Sequence, residues 1–265
     1  TAALETMKDQ FDRPEQYIKE LLQNAIDANA SRMDVLNEYD EERGIGKITI
    51  RDNGSGMSEK VIRNELLTLF ESSKEDDLTK IGRFGVGFVS VFAQSDLERV
   101  LVHTNDGDQE HLVELLPPQK GWKGNIYRKD PIKMNTEFQG TSVTLEVDSS
   151  QVDWEWAMKR IELEIDYSCA YTHVPLFVNG EQVNKEFVLE DADYQIKFGG
   201  GNDLEGVIGF PRDKKGTHGF YNRRLLVHHE NTPLFEDMEE VSVILSSAYI
   251  DYNISRDQVI KNKRY

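Results

Sequence analysis

Three groups of residues in this 265-residue chain have types and spacings that could do chemistry. Glu20, Asn24 and Asp27 stand at i, i+4 and i+7, so on a helix they share one face. A carboxamide beside a carboxylate can ligate a hard cation such as Mg²⁺, which takes few protein ligands and completes its octahedron with water and phosphate oxygens. A glutamate one turn away could then activate a water. The same triplet also fits a solvated helix face. The second group, Asp52-Asn53-Gly54-Ser55-Gly56-Met57, lies at a strand end before a helix. It reads as a turn that needs glycine at positive φ. It also reads as a site where Asp52 accepts from an exocyclic amino group and the glycines admit a flat ring. The third group, Gly82, Gly85 and Gly87, opens a helix. These are packing glycines or, at a helix N-terminus, an anion site made of backbone N–H groups. No G-x-x-x-x-G-K-[ST] run is present, so the chain has no P-loop signature.

The elements that must hold these groups follow from periodicity. A helix is expected over Asp12–Ala30, with Pro14 in its first turn and Tyr17, Ile18, Leu21, Leu22, Ala25 and Ile26 at helical spacing. Strands Met33–Tyr39 and Lys47–Asp52 come next, the latter with Ile48, Ile50 and Asp52 on one face. A helix N-capped by Ser58, with Met57 and Ile62 placed as a staple, should reach about Phe70. After the polar segment Glu71–Lys80, a third helix should start within Ile81–Phe88 and end near Gln94. Strands are expected at Glu98–Thr104, His111–Leu115, Thr141–Val147 and Val174–Val178, the last turning at Asn179-Gly180. A helix is expected at Val152–Tyr171. Beyond Glu186 the pattern predicts strands Leu204–Phe210 and Gly219–His228, a helix Met238–Ser247, a strand Tyr249–Ile254 and a helix starting at Ser255. These divide the chain into domains 1–186 and 187–265, the second cut short as if from a longer parent.

Composition narrows the function classes. Thirty-one Lys and Arg against 48 Asp and Glu give a net charge of −17, which opposes nucleic acid as the main ligand. The single cysteine, Cys169, excludes an internal disulfide and a thiolate metal cluster, and points to a reducing, cytoplasmic setting. No apolar run nears membrane-spanning length and the first residues lack a secretory pattern. Cys169 reads as a buried small hydrophobe. His228 and His229, adjacent on a strand, face opposite ways and do not suggest a shared metal. Trp154 and Trp156 are expected to divide between core and domain interface. The basic residues Arg212, Lys214, Lys215, Arg223 and Arg224 read as a solvated turn or a phosphate contact.

Taken together, the three groups resemble the motif boxes of the GHKL ATPases, the superfamily of gyrase, the ninety-kilodalton heat-shock chaperones, histidine kinases and MutL. Glu20–Ala28 is similar to the first box, Asp52–Met57 to the second, Ile81–Phe88 to the third and Gly140-Thr141 to the fourth. Ile81-Gly82-Arg83-Phe84-Gly85-Val86-Gly87-Phe88 is very near the glycine segment of the heat-shock chaperone (HtpG-like) family. Asn253-Ile254-Ser255-Arg256-Asp257 resembles the catalytic loop of that family's middle domain. The resemblance implies an α+β fold: a mixed, mostly antiparallel sheet covered by helices on one face, followed by a smaller transducer-like domain. It implies Mg²⁺-dependent binding and hydrolysis of ATP that drives domain motion, with ADP as product, a homodimer and a protein client as partners. Glu20 would be the general base and Asn24 the Mg²⁺ ligand. Asp52 would accept from the adenine amino group, helped by Gly56 and Thr141 through an ordered water. Gly85, Val86 and Gly87 would cradle phosphates, and Ser72, Ser73 and Lys74 would lie in a lid shorter than the chaperones'. Asp27, Gly54, Met57, Gly82, Phe84 and Phe88 would complete the nucleotide site. Arg256 would reach the γ-phosphate from the second domain. A MutL- or topoisomerase-like DNA enzyme, a histidine kinase and a non-hydrolysing ATP-binding regulator are the alternatives.

Overall fold

A computed structural model describes residues 13–67, 87–94, 96–128, 138–150, 153–200, 204–213, 215–230 and 240–250. The chain separates into two compact units, one of Thr1–Ile165 with Val174–Val183, the other of Asp166–His173 with Asn184–Tyr265.

The first unit is built on an eight-stranded sheet. Its strands are β1 (Met33–Asp40), β2 (Ile45–Asp52), β3 (Leu97–Asn105), β4 (Glu110–Leu116), β5 (Lys123–Arg128), β6 (Gly140–Asp148), β7 (Leu176–Val178) and β8 (Glu181–Gln182). Their order is β5-β4-β3-β6-β2-β1-β7-β8, and every pair is antiparallel except β1 with β7. The register across the centre decides the architecture. Ile50 stands opposite Val143 and Val143 opposite Val102, while Ile48, Leu145 and Val100 form the next row. These side chains make one apolar face. The other face is polar: Thr49 and Thr144 share a hydroxyl hydrogen bond of 2.9 Å, and Arg99 donates to Glu146 at 2.7 Å.

The helix α1 (Gln16–Asp27) packs against β2 and against a 3₁₀ turn, Ser90–Ala93. It is shorter at both ends than its apolar periodicity suggested, and it is buried on nearly every side, with Lys19 and Glu20 enclosed along with Ile18 and Leu22. Ser58 caps α2 (Glu59–Val61), its hydroxyl accepting from the Val61 N–H at 3.5 Å. The expected uniform α-helix does not continue. A π turn, Ile62–Leu66, replaces it, closed by the Leu67 N–H on the Ile62 carbonyl at 2.8 Å. In α3 (Trp154–Ser168), Ile161 and Ile165 are buried. Trp154 stacks on Tyr39 of β1, whereas Trp156 is exposed beneath the Arg160 guanidinium.

The second unit carries a five-stranded sheet: β9 (Ala192–Gly199), β10 (Glu205–Pro211), β11 (His218–Asn222), β12 (Leu225–Glu230) and β13 (Ser242–Ser246), in the order β12-β11-β13-β10-β9. Tyr171, Phe187 and Tyr221 meet edge to face at centroid distances of 5.3–5.6 Å in its core. Two sequence expectations fail here. Gly219–His228 is not one strand but the hairpin β11–β12, turned by Arg223-Arg224 at φ 49° and 64°. Two successive left-handed residues match the twist of a two-residue hairpin, and Asn-Gly is the sequence that normally announces it. The expected helix Met238–Ser247 contains strand β13. Val241, Val243 and Ile244 are β-branched and buried, and β-branched residues favour a strand over the expected helix. Strands β5 and β9 were not anticipated. Tyr249 and Ile250 are not in a strand, and the rest of the expected Tyr249–Ile254 strand lies outside the described residues.

The hairpin turn is held by a two-pronged ion pair. Arg224 donates through Nε and Nη2 to the two oxygens of Glu205 on β10, at 2.7 and 2.6 Å. This contact, more than the nearby His173, holds the Glu205 carboxyl below the usual glutamate range. Stability from such a group is present above its unfolded-state pKa and is lost as pH falls through the depressed folded value. Arg224→Ala is therefore expected to lower the unfolding free energy of this unit by about 1–3 kcal/mol at neutral pH. The deficit should shrink below the ordinary glutamate range. Urea melts followed across pH check both the size and the direction.

Candidate functional site

The sheet register that builds the core also builds a polar row. One step beyond Ile50–Val143–Val102 stand Asp52, Thr141 and Thr104, on three neighbouring strands and the same face. The Asp52 Oδ1 accepts from the Gly54 N–H at 2.7 Å and the Thr141 N–H at 3.3 Å. Burial pushes this carboxyl above the usual aspartate range, and the two backbone donors pull against that. Its Oδ2 has no hydrogen-bond partner among the described residues. The Thr104 hydroxyl is fully buried. It accepts from the Met57 N–H at 2.8 Å and lies 3.1 Å from the Thr141 hydroxyl. Asn53 fastens the other side of the turn, its Oδ1 accepting from the N–H groups of Ser31 and Arg32 at 2.8 and 2.9 Å. Gly56 takes the left-handed φ of 67° that the turn was expected to require.

Beside this row is a cavity of about 270 Å³, near the lower end of small-molecule pockets. Leu21, Ile50, Leu66, Phe88, Val102 and Val143 give it apolar walls, and Asn24, Asp27, Gly56, Met57 and Thr141 also line it. The π turn brings Leu66 onto the wall beside Val61 and Glu65. Asp52 and Gly54 are not among the lining residues. Asp52 is joined to the cavity through Thr141, which it grips.

Glu20 sits one turn before Asn24 on α1 and is 3% exposed. Its carboxylate lies against Gly87 so closely that a Cβ at that position would overlap Oε2. Gly87 is helical and precedes Phe88 of the cavity wall. The Ser90 hydroxyl caps the Gly87 carbonyl at 2.5 Å, and the Gln94 amide donates to the Pro14 carbonyl at 2.8 Å, so the glycine segment and α1 are tied together. Among the expected site residues, Asn24, Asp27, Gly56, Met57, Phe88 and Thr141 line the cavity, Asp52 and Gly54 are hydrogen-bonded to each other beside it, and Glu20 and Gly87 are in contact with each other without lining it. Ser72, Ser73, Lys74, Gly82, Phe84, Gly85, Val86 and Arg256 lie outside the described residues. Thr104 was missed: a lone threonine inside a strand carries no signal of its own. His228 stacks on Phe220, and His229 meets Tyr167 edge to face.

A mostly antiparallel sheet thus lies against α1, and the cavity is lined by residues of both, Asn24 and Asp27 of the helix among them. Residues 13–115 match the model of the histidine kinase-, DNA gyrase B-, and HSP90-like ATPase family. An endoplasmin homologue of Leishmania infantum is 28% identical over 226 residues, covering 79% of this chain and 28% of the relative. The chaperone protein HtpG of Desulfotalea psychrophila is 24% identical over 307 residues, covering 93% of this chain and 48% of its own. The DNA mismatch repair protein MutL of Bacillus anthracis is 34% identical over 107 residues, covering 38% of this chain and 16% of the relative. The chain thus spans less than half the length of each. The fold is similar to that of the ATPase and transducer domains of DNA topoisomerase II from Balamuthia mandrillaris, with a TM-score of 0.65 at 14% identity, over 92% of this chain and 76% of that one.

The contact between Glu20 and Gly87 makes a direct prediction. Gly87→Ala should destabilise the first unit by about 1–3 kcal/mol, the usual cost of an added methyl in a packed site. Glu20→Ala on the same chain should relieve most of that cost. A double-mutant cycle in thermal or urea unfolding reads the coupling. Additive effects would mean that the carboxylate does not occupy the space the glycine leaves.

Proposed function

We infer that this chain binds ATP with its adenine in the apolar cavity and hydrolyses it with Glu20 as general base. What supports the reading is one arrangement: Asp52 is bonded to Thr141 of the cavity wall, and Glu20, against Gly87, stands one helical turn from Asn24 of that wall. A flat heterocycle suits the Leu21, Ile50 and Val143 walls. The free Oδ2 of Asp52 is a charged acceptor for an exocyclic amino group, already oriented by the two N–H bonds on Oδ1. The phosphates would run toward Gly87, and the glycine segment before it would supply backbone N–H donors. Hydrolysis then joins a water oxygen to the γ-phosphorus and breaks the bond from that phosphorus to the β–γ bridging oxygen. The water proton passes to Glu20, and ADP and phosphate leave.

A magnesium ion fits the residues present. Asn24 lines the cavity, and no hydrogen bond engages its side chain among the described residues, so its Oδ1 is available. Among the described residues no group of three His, Cys, Asp or Glu side chains could hold a metal, so such a cation would be held mainly by phosphate oxygens and water. When bound, it would neutralise phosphate charge. Asn24 would orient it, and α1 keeps Asn24 and Glu20 one turn apart.

In this reading the residues after 186 act as a transducer and bring Arg256 to the γ-phosphate, so that nucleotide state moves the domains, as in a heat-shock-chaperone-like ATPase acting on a protein client. The buried, lone Cys169 suits a cytoplasmic setting. Among the described residues no helix is long and apolar enough to cross a membrane. The relatives named MutL and topoisomerase II support a DNA-processing alternative, which the charge of −17 opposes. It would appear as ATP turnover stimulated by DNA and falling steeply with salt.

Steady-state turnover tests the assignment. Glu20→Ala is expected to keep ADP affinity within a few-fold and to lower turnover by about 10²–10⁴. Wild-type turnover in Glu20→Ala would remove the general base. An absence of turnover in the unmodified chain despite tight ATP binding would leave a binding regulator.

A further inference from the structure

The polar face of the first sheet carries two guanidinium groups around one carboxylate. Asp34 and Leu36 alternate along β1, and Arg51 of β2 stands directly opposite Asp34, so the three share a face. Opposite charges facing each other across two strands ordinarily pair. Here they do not, because Asp34 gives both its oxygens to Arg32, which donates from Nε at 2.8 Å and from Nη2 at 2.6 Å. Arg32 is fixed in turn over the Phe177 ring, 3.8 Å from its centroid. Arg51 is left without a carboxylate among the described residues, although the chain has a net charge of −17 and both Arg99 and Arg224 hold acids. It lies over the Phe138 ring, 4.8 Å from the centroid. Phe138 is buried and anchored: its ring stacks on His103, and its carbonyl accepts from the Asn105 amide at 2.6 Å. Arg32, Asp34, Leu36, Arg51, Phe138 and Gln139 line a cavity of about 300 Å³. Asp52 and Asn53 also line it, but their side chains are committed elsewhere. Asn53 is bonded to Ser31 and Arg32, and Asp52, next after Arg51 on the strand, turns its carboxylate to the other face, where it holds Thr141.

We propose that this cavity binds a small aromatic carboxylate, its carboxylate on the Arg51 guanidinium and its ring against Phe138 and Leu36. Charge sets the class of ligand. Arg32 and Asp34 neutralise each other, so Arg51 supplies one uncompensated positive charge, which matches a monoanion. A phosphate dianion would bring a second negative charge beside Asp34 with nothing to meet it. Shape agrees with charge. A guanidinium presents its N–H groups as a planar fork that a carboxylate meets with two parallel bonds. Size agrees as well. A cavity of roughly 150 Å³ admits benzene, so one of about 300 Å³ has room for a ring and its carboxylate. The walls are set before the ligand arrives, since Phe138 is held by His103 and Asn105, and Arg32 by Asp34 and Phe177. Little ordering then opposes binding. The nucleotide cavity is walled by Ile50 and Val143 of the other face, so this site needs no nucleotide and does not depend on the ATPase reading.

Benzoate is the probe, and an amide-resolved NMR titration of the full chain without nucleotide reads both affinity and place. The expected result is saturable binding at millimolar concentration or below, with shifts centred on residues 32–36, 51–53 and 138–139. Benzamide has the same shape without the charge and should bind about tenfold more weakly or worse. Inorganic phosphate should not displace benzoate at equal concentration. Arg51→Gln should weaken benzoate by about tenfold or more. Arg51→Lys keeps the charge without the fork and should fall between the two. Asp34→Asn keeps the shape but releases Arg32, so it should bind benzoate at least a few-fold tighter, an effect that simple damage to the sheet would not produce. Arg51 is exposed, and unchanged circular dichroism would show that each variant folds. Absence of saturation, shifts centred elsewhere, or equal binding of benzamide or phosphate would each overturn the proposal. So would benzoate affinity unchanged in Arg51→Gln or lowered in a folded Asp34→Asn.

Discussion

The half-buried Asp52 carboxylate is the point from which the rest of the first unit can be understood. A carboxylate in an apolar setting is costly unless it is hydrogen-bonded. Here two backbone N–H groups, from Gly54 and Thr141, supply the bonds. Those donors come from opposite directions: one from the turn after β2, the other from the start of β6. The β2–β6–β3 register must therefore be right to the residue, because a slip by one would turn Asp52 to the other face of the sheet. The apolar ladder of Ile50, Val143 and Val102 sets that register, so core packing and site geometry are fixed by the same pairing.

A second constraint operates on α1. Glu20 is enclosed, and the space for its carboxylate exists because residue 87 has no side chain. The glycine segment therefore serves packing as well as any backbone contact to phosphate. The two readings of those glycines converge at Gly87, since the atom a methyl group would displace is the one assigned to catalysis. Asp52 is fixed by the sheet and Glu20 by the helix, and each is joined to the cavity through a neighbour that lines it, Thr141 and Asn24.

Much of this was legible in the sequence because it rests on short-range pattern. The i, i+4, i+7 spacing placed Glu20, Asn24 and Asp27 on one helix, and the alternation of Ile48, Ile50 and Asp52 placed the carboxylate on the core face. Contacts without a local pattern were not legible. Thr104 meets Met57 and Thr141 only because β3 lies beside β6, a pairing between strands more than thirty residues apart. The Arg223-Arg224 turn hid a hairpin because neither residue type signals positive φ. The Val241–Ile244 run is buried on both faces, with Ser242 enclosed among the apolar residues, and its short pattern does not tell strand from helix.

Calorimetric titration of ADP into the unmodified chain and into Asp52→Asn tests the central claim most directly. The amide keeps an oxygen for the Gly54 and Thr141 N–H groups, so the turn should survive while the charged acceptor is lost. A hydrogen bond to a charged group is worth about 1.5–3 kcal/mol, so affinity should fall by roughly ten- to a hundredfold or more. Equal affinity in the two chains would contradict the account, because Asp52 would then hold the turn together without reading the base.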